Sequence, residues 1–340
     1  MTLKEIARLA GVSPSTVSRV LNQPDSSAAS PETRERIWKI IRETGYQPNQ
    51  NARILRMGST TPTGQSICCI FARSDEMMND PFFSRIARAM EQECFRRGYI
   101  VRYSLSARQL NTASLHAASD YRVDGAVVLG RLSQRRLQLL QSHYRHLVYV
   151  GLNPIEANLD QIICSGYDAA RAAMEHLISL GHREIAYLGE IDHEVRYQGY
   201  CDALSAHRLP RGPVVEIPLS ADGGYRGGLR LSSLVGVTAA FCANDQCAIG
   251  AVKALREKGI SIPQALSVIS IDDIEIASYV TPMLTTIHIP TEEMGRQAAR
   301  TLMERMEGER RLPVRIQVPF SLTRRESCGP PCPLPRPKSV

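Results

Sequence analysis

Residues 2–22, TLKEIARLAGVSPSTVSRVLN, read as two short amphipathic helices joined by a glycine turn. Thr2 is placed to cap the first helix, and Glu5, three residues on, can reach back to close a capping box. Ile6, Leu9 and Ala10 fall on one face at helical spacing. Gly11 supplies the backbone freedom of the turn, and Val12 can tuck beneath both helices. Ser13 caps the second helix, with Pro14 at its first helical position, where a missing N–H costs nothing. Val17, Val20 and Leu21 point inward. That leaves Pro14, Ser15, Ser18, Arg19 and Asn22 facing out, a face of hydroxyls, an amide and one guanidinium with no carboxylate. Such a face suits a phosphate-lined groove, in which the second helix of the pair sets its first side chains against base edges.

Working outward, Ser30-Pro31-Glu32-Thr33 opens a third helix, with Ser30 as cap and Pro31 first inside. Ile37, Ile40 and Ile41 give it an apolar stripe that closes a small three-helix core, with Trp38 at its edge, and Gly45 ends it. Residues 50–57 hold good helix formers but no strong caps, and so short a helix is marginal in water by itself. A linker follows at 58–64. Through position 60 there are nine basic and five acidic residues, so more than half of the chain's net charge of +7 lies in this first part. A basic end on a near-neutral body is the electrostatic footprint of nucleic-acid binding.

The run LKEIARLAGVSPSTVSRVLN resembles the DNA-binding headpiece of the lac repressor family, matching the pattern (T)(L)xx(I/V)AxxAGVSxxTVSRVLN at nearly every position. The resemblance implies a DNA-contacting set of Thr2, Ser13, Pro14, Ser15, Thr16, Ser18, Arg19 and Asn22, with Arg19 bidentate on a guanine, Ser15 on a neighbouring base, and Ser13, Thr16, Ser18 and Asn22 on phosphates. YxPNxxAxxL is matched over residues 46–55 and implies a hinge helix at 50–57 that forms on DNA. Asn49, Ala52 and Arg53 would contact DNA there, and Leu55 would wedge into the minor groove. The loop at 23–29 is about two residues longer than in the lac repressor, by the same matching of motifs.

The 340 residues are 43% hydrophobic and 22% charged, enough for a buried core in two or three domains. No stretch nears the roughly 20 apolar residues of a membrane span, and the N-terminus does not read as a signal peptide. A cytoplasmic chain without membrane contact is expected. The nine cysteines show no CxxC spacing and sit mostly in apolar runs, which argues for reduced thiols and no metal site. Cys328 and Cys332 read as free surface thiols.

From residue 66 short apolar runs alternate with helical periods. Strands are expected at 66–72, 99–106, 124–130, 146–152, 161–166, 184–190, 214–220, 237–244, 266–272 and 285–290. Helices are expected at 82–97, 169–180, 195–207, 246–258 and 292–307, among others. Continuous apolar strands between helices mean parallel sheets covered on both faces. Ten strands exceed one comfortable sheet, so an α/β body of two lobes dividing near 160 is expected. This part resembles the periplasmic-binding-protein-like core of the same family, through DPFF (80–83), HLISLGHREIAYLG (176–189), CANDQCAIGAVKALREKGISIP (242–263), SVISIDDIEIASYVTPMLTTI (267–287) and FSLTRRES (320–327). The implied organisation is a helix–turn–helix domain at 1–49, hinge and linker at 50–64, and a core at 65–327. Lobe 1 would hold 65–160 and 290–318, lobe 2 161–289 and 319–327, with a disordered proline-rich tail at 328–340.

In open α/β sheets ligands bind beyond the carboxyl ends of strands. Asn79 to Phe83, Asp192, Arg196, Asn244-Asp245 and Asp272-Asp273 stand at such ends. A cleft of Asn, Asp and Arg suits the hydroxyls of a neutral sugar, with Phe82 and Phe83 offering an apolar face. The resemblance assigns Arg196, Asn244 and Asp272 to the effector. Asp80 reads as a helix start and Asp245 as the cap of the helix at 246–258. A sheet-end aspartate of many relatives would fall near Gly151, where this chain has no acid, and Asn153 is the substitute. No GxSxG, GxGxxG after the first strand, P-loop or HExxH occurs, which speaks against an enzyme, and no cofactor is expected. The glycine-rich stretch 222–228 reads as an ordinary turn before a helix.

The resemblance thus implies a regulator that binds a palindromic operator in double-stranded DNA as a homodimer, most simply a repressor, with a small sugar-like effector between its lobes. Alternatives are a purine, nucleoside or phosphorylated sugar as effector, or an activator of the same build. A sugar-binding protein with no DNA role stands further off. The segments 267–289 and 292–295 look closest to repressors of galactoside and related glycoside operons.

Overall fold

The computed structural model describes residues 3–13, 16–17, 20, 30–44, 66–72, 80–106 and 123–331. The chain divides into two compact units, Met1–Thr63 and Gly64–Val340.

In the first unit α1 spans Leu3–Ala10 and α2 spans Pro31–Thr44. Gly11 takes a positive φ of 65°, and Val12 N–H donates to the Ala7 carbonyl at 3.0 Å, which turns the chain out of α1. Ser13 Oγ accepts from Thr16 N–H at 3.2 Å and Ser30 Oγ from Thr33 N–H at 3.3 Å, so both serines cap the turns that follow them. Ile6, Ala7, Ala10, Val17, Val20 and Ile37 form the core, with Val12 and Ile40 packed against it. Leu9 does not join them: it is 52% exposed. The buried stripe of α1 runs through 6, 10 and 7, and Leu9 falls roughly a quarter-turn off it. Thr2, Pro14, Ser15, Ser18, Arg19, Asn22, Asn49, Ala52, Arg53 and Leu55 lie outside the described residues, as do Leu21, the loop at 23–29, the linker and Asn79.

The second unit holds two sheets. In the first, β1 (Ser66–Phe71), β2 (Ile100–Ser106), β3 (Gly125–Leu129), β4 (His146–Gly151), β5 (Asp160–Ile163) and β11 (Arg315–Gln317) stand in the order β11-β5-β4-β3-β1-β2, with every pairing parallel. In the second, β6 (Ile185–Gly189), β7 (Val214–Glu216), β8 (Ala239–Cys242), β9 (Ser267–Asp272), β10 (Thr285–His288) and β12 (Ser321–Thr323) stand in the order β12-β10-β9-β8-β6-β7. Only β12 runs antiparallel to its neighbour among these pairings. β1, β3, β5, β6, β8 and β9 are buried along their whole length, and β4 and β10 everywhere but at one terminal histidine, as the unbroken apolar runs require.

Around the first sheet lie α3 (Pro81–Arg96), α4 (Gln134–His143) and α9 (Thr291–Met306). Around the second lie α5 (Gly166–Ser179), α6 (Val195–Ala206), α7 (Ala221–Ser232) and α8 (Asp245–Glu257). α3 and α9 are joined at Glu93, a buried carboxylate that accepts from Arg300 Nε at 2.8 Å and Arg97 Nε at 3.1 Å and also pairs with Arg96. Among the described residues no helix is long and apolar enough to cross a membrane.

Four expectations need correction. The break near 160 is misplaced, because β5 pairs with β4 and β11 and so belongs to the first sheet. Its buried Asp160 accepts from Arg310 Nη1 at 2.6 Å and Val314 N–H at 2.7 Å, contacts that arise about 150 residues away and leave no trace in local periodicity. β11 and β12, three residues each, are too short to show alternation. The glycine-rich stretch 222–228 is not a turn before a helix but lies within α7, whose glycines seat it against α8. The C-terminal segment does not leave the body at 328: Gly329 accepts from His182 Nε2 at 2.8 Å and from Ser267 Oγ at 3.0 Å. Cys328 is half-buried there, its Sγ 3.2 Å from the Val268 carbonyl, rather than a surface thiol, while Cys332 is outside the described residues.

Candidate functional site

Both sheets send the carboxyl ends of their strands to one cleft of about 350 Å³. Asp80, Phe82 and Phe83 come from the start of α3, Gly130 and Arg131 follow β3, and Leu152 and Asn153 follow β4. From the second lobe come Glu190, Glu194 and Arg196 beyond β6, Pro218, Leu219 and Ser220 beyond β7, Asn244 and Gln246 beyond β8, and Asp272 at the end of β9. The six residues expected from sequence, Phe82, Phe83, Asn153, Arg196, Asn244 and Asp272, all line this cleft. Asp192 does not, and neither does Asp273, which binds Arg325 Nη2 at 2.6 Å and His288 Nδ1 at 3.0 Å.

Arg196 stands in the first turn of α6 and is only 7% exposed. Its Nε and Nη2 donate to the two carboxylate oxygens of Glu194 at 2.8 and 2.9 Å, and its Nη1 donates to the Ala243 carbonyl at 2.8 Å. Glu194 Oε1 also caps α6 by accepting from Arg196 N–H at 3.1 Å. Burial works against the charge of Arg196, but Glu194 more than offsets it, and the guanidinium is held above its ordinary pKa.

Asn244 and Asp245 divide their work differently from expectation. Asn244 caps α8, its Oδ1 accepting from Cys247 N–H at 2.9 Å. Asp245 turns inward, fully buried, and accepts from Ser270 Oγ at 2.5 Å, Thr286 Oγ1 at 2.6 Å and Ile274 N–H at 2.8 Å. It thereby ties the end of β8 to β9 and β10. Asp272 follows with a positive φ of 127°, and its buried Oδ1 has no hydrogen-bond partner. Burial first, and then the neighbouring Asp245, push the Asp272 carboxyl well above the carboxylate range, against the pull of Arg196. A buried polar atom without a protein partner is one that a water, an ion or a ligand's donor can satisfy.

Asp80 caps α3 through Phe82 N–H at 3.0 Å, as its sequence position suggests. Phe82 is largely core, and its ring meets Phe83 edge-to-face at 4.9 Å, which leaves half-buried Phe83 as the apolar wall. At position 151 a Cβ would come within 2.3 Å of the Tyr149 hydroxyl, so the tyrosine occupies the room that a side chain there would need. Sequence reasoning missed Arg131, Tyr149, Glu190, Glu194, Ser220 and Gln246. The strand-end rule reaches Glu190 and Gln246, which border segments already singled out. Nothing local marks Arg131, whose Nη1 donates to the His193 carbonyl across the cleft.

Two lobes of parallel sheet closing on a polar cleft, carried with a helical unit of helix–turn–helix build, define a regulator with a ligand-binding core. The sequence profile of the bacterial regulatory proteins of the lacI family matches residues 2–49, and that of the periplasmic binding protein-like domain matches residues 174–328. The chain is 32% identical over 342 residues to the transcriptional repressor MelR of Bacillus subtilis, covering 96% of this chain and 97% of that one. It is 33% identical over 317 residues to the transcriptional repressor PurR of Haemophilus influenzae, covering 90% and 91%. Among solved structures, the complex of the transcriptional regulator CelR with cellobiose matches with a TM-score of 0.70 at 28% identity, covering 96% of this chain and 99% of that one. The lac repressor dimer bound to operator and the anti-inducer ONPF matches with a TM-score of 0.69 at 28% identity, covering 97% and 99%. The chain belongs to the lacI family of DNA-binding transcriptional repressors.

Proposed function

We propose that this chain is a cytoplasmic homodimeric repressor whose affinity for a palindromic operator is changed by an uncharged sugar bound between its lobes. The observation that carries the ligand assignment is the partnerless, buried Oδ1 of Asp272 in a cleft whose other polar groups include Asn153, Asn244, Gln246 and the Arg196–Glu194 pair. Such a set gives and takes hydrogen bonds with hydroxyl groups. The CelR structure was obtained with cellobiose, and a lacI-family regulator from Enterococcus faecium, 25% identical to this chain, was obtained with ribose. In this reading Arg19 reads a guanine, Ser15 a neighbouring base, and Thr2, Ser13, Pro14, Thr16, Ser18 and Asn22 complete the headpiece contacts. Asn49, Ala52 and Arg53 hold the hinge to DNA, and Leu55 wedges at the centre of the site. Ser13 would donate its hydroxyl hydrogen to a phosphate while its oxygen caps the turn.

The test uses an operator selected from a palindromic library. Arg19→Ala is expected to lose about 1–3 kcal/mol on that site and to relax preference at one base pair. Equal loss on operator and random DNA contradicts its role as a base reader. A panel of sugars and nucleosides added to the same titration tests the effector. A response to nucleosides and to no sugar selects the other reading, in which Phe83 packs on a base.

A further inference from the structure

Asp272 ends β9 with a φ of 127°, and Asp273 follows at 57°. The second value lies in the left-handed well at about 60° that aspartate enters readily, and the first lies well outside it. A side-chain-bearing residue in such a conformation persists only where its surroundings hold it, and these residues gather at ligand sites. Asp273 is held by Arg325 Nη2 at 2.6 Å and His288 Nδ1 at 3.0 Å. Asp272 is held from both sides by one carboxylate, that of Asp245. Its Oδ1 accepts from Ser270 Oγ at 2.5 Å, before Asp272 in the chain, and its Oδ2 from Ile274 N–H at 2.8 Å, after it. Ser270 and Thr286 are register partners on β9 and β10, and the same Oδ1 takes the Thr286 hydroxyl at 2.6 Å. Asp245 is fully buried and does not line the cleft, although its chain neighbours Asn244 and Gln246 do.

We infer that Asp245 is a positioning residue of the effector site: by gripping the chain on either side of Asp272, it holds that residue in the strained conformation that presents its carboxyl to the ligand. The inference rests on reading this cleft as the effector site. Asn244 precedes Asp245 directly, so the same grip fixes the spacing between the polar groups at the ends of β8 and β9. A contact group serves a ligand only while a supporting shell of hydrogen bonds keeps it in place. An amide at 245 can still meet all three partners. Its oxygen takes the Ile274 N–H, and its NH2 donates to the oxygens of Ser270 and Thr286, whose hydroxyls are free to turn. Alanine meets none of them, and Asp272 is then free to relax towards a negative φ with its carboxyl turned away.

The experiment compares the full native chain with Asp245→Ala and Asp245→Asn. Crystal structures grown without ligand read the geometry of residue 272, and calorimetry with galactose, cellobiose and adenosine reads binding. Asp245→Asn is expected to keep Asp272 in place and to bind within about threefold of the native chain. Asp245→Ala is expected to displace Asp272 and to bind at least about tenfold more weakly, with the Arg196–Glu194 pair unmoved. A folded alanine variant in which Asp272 stays where it is, or in which affinity is unchanged, overturns the role of Asp245. Should that variant fail to fold, Ser270→Ala decides, since it opens the grip on one side: a displaced Asp272 carboxyl supports the inference and an unmoved one overturns it. If none of the three compounds binds the native chain, the geometry of residue 272 decides alone. The sugar reading fails separately, because adenosine bound alone, and more weakly by the alanine variant, removes that reading and keeps the role of Asp245.

Discussion

At Asp245 burial and hydrogen bonding pull in opposite directions. Burial pushes the carboxyl up to about 6, while donors from Ser270, Thr286 and Ile274 pull it down, and burial wins. A carboxyl raised on folding binds its proton more tightly in the native state, so its contribution is present at low pH and lost as pH rises through the folded value. Stability to urea is therefore expected to fall between about pH 4 and pH 6, and Asp245→Asn should flatten that slope. Asp272, raised in the same direction, adds a part that this variant leaves in place. Asp245→Ala would strand three buried donors and is expected to cost about 3 kcal/mol at neutral pH. An unchanged urea midpoint in the alanine variant would contradict the role of Asp245 as the tie between β8, β9 and β10. The strand-end rule finds Asn244 and Asp245 in the sequence but not which one caps. That choice is made by hydroxyls 25 and 41 residues further on. Arg196 teaches the same lesson. Its place suggests a residue that can be stripped without harm, yet removing it would take from buried Glu194 the guanidinium that donates to both its carboxylate oxygens, at a cost of about 3–5 kcal/mol.

Among the elements, α7 shows where composition misleads. Four of its twelve residues are glycine, which by propensity alone is a turn. Tertiary packing reverses that reading. A Cβ on Gly224 would lie 2.1 Å from the Cys247 carbonyl oxygen, and one on Gly250 of α8 would lie 2.0 Å from the Ala221 carbonyl oxygen. The two backbones approach too closely for any side chain, and the burial gained along this contact outweighs the weak propensity. Gly224→Ala is expected to destabilise the core by about 1–3 kcal/mol through overpacking. Gly227→Ala, whose Cβ would meet only side-chain tips of Ile217 and Leu188 at 3.2 Å, should cost less. Chemical denaturation of the two variants checks the order, and an equal loss, or the gain that helix propensity alone gives Ala over Gly, would contradict contact as the cause. Long apolar strands and capped helices were legible because their signals are local. β11, β12 and the sheet to which β5 belongs were not, since short edge strands take their place from partners remote in sequence.

For the whole molecule, the cleft is assembled from both sheets, so a ligand there touches each lobe at once. The cross-cleft bond from Arg131 to the His193 carbonyl already links them. A ligand changes operator affinity only by binding the competing arrangements unequally, and coupling of about 1–3 kcal/mol is typical of such proteins. Asp272→Asn keeps the shape of the site and replaces the buried carboxyl beside Asp245 with an amide, so folding and operator binding without effector should be preserved while the response is lost. The most direct measurement titrates the selected operator by fluorescence anisotropy, with and without the sugar found in the panel, for the native chain and for Asp272→Asn. The account predicts a change of about 5- to 150-fold in the native chain's operator Kd, and no change in the variant from an equal starting affinity. An operator Kd that no cleft ligand alters, or a variant that responds as the native chain does, would contradict it.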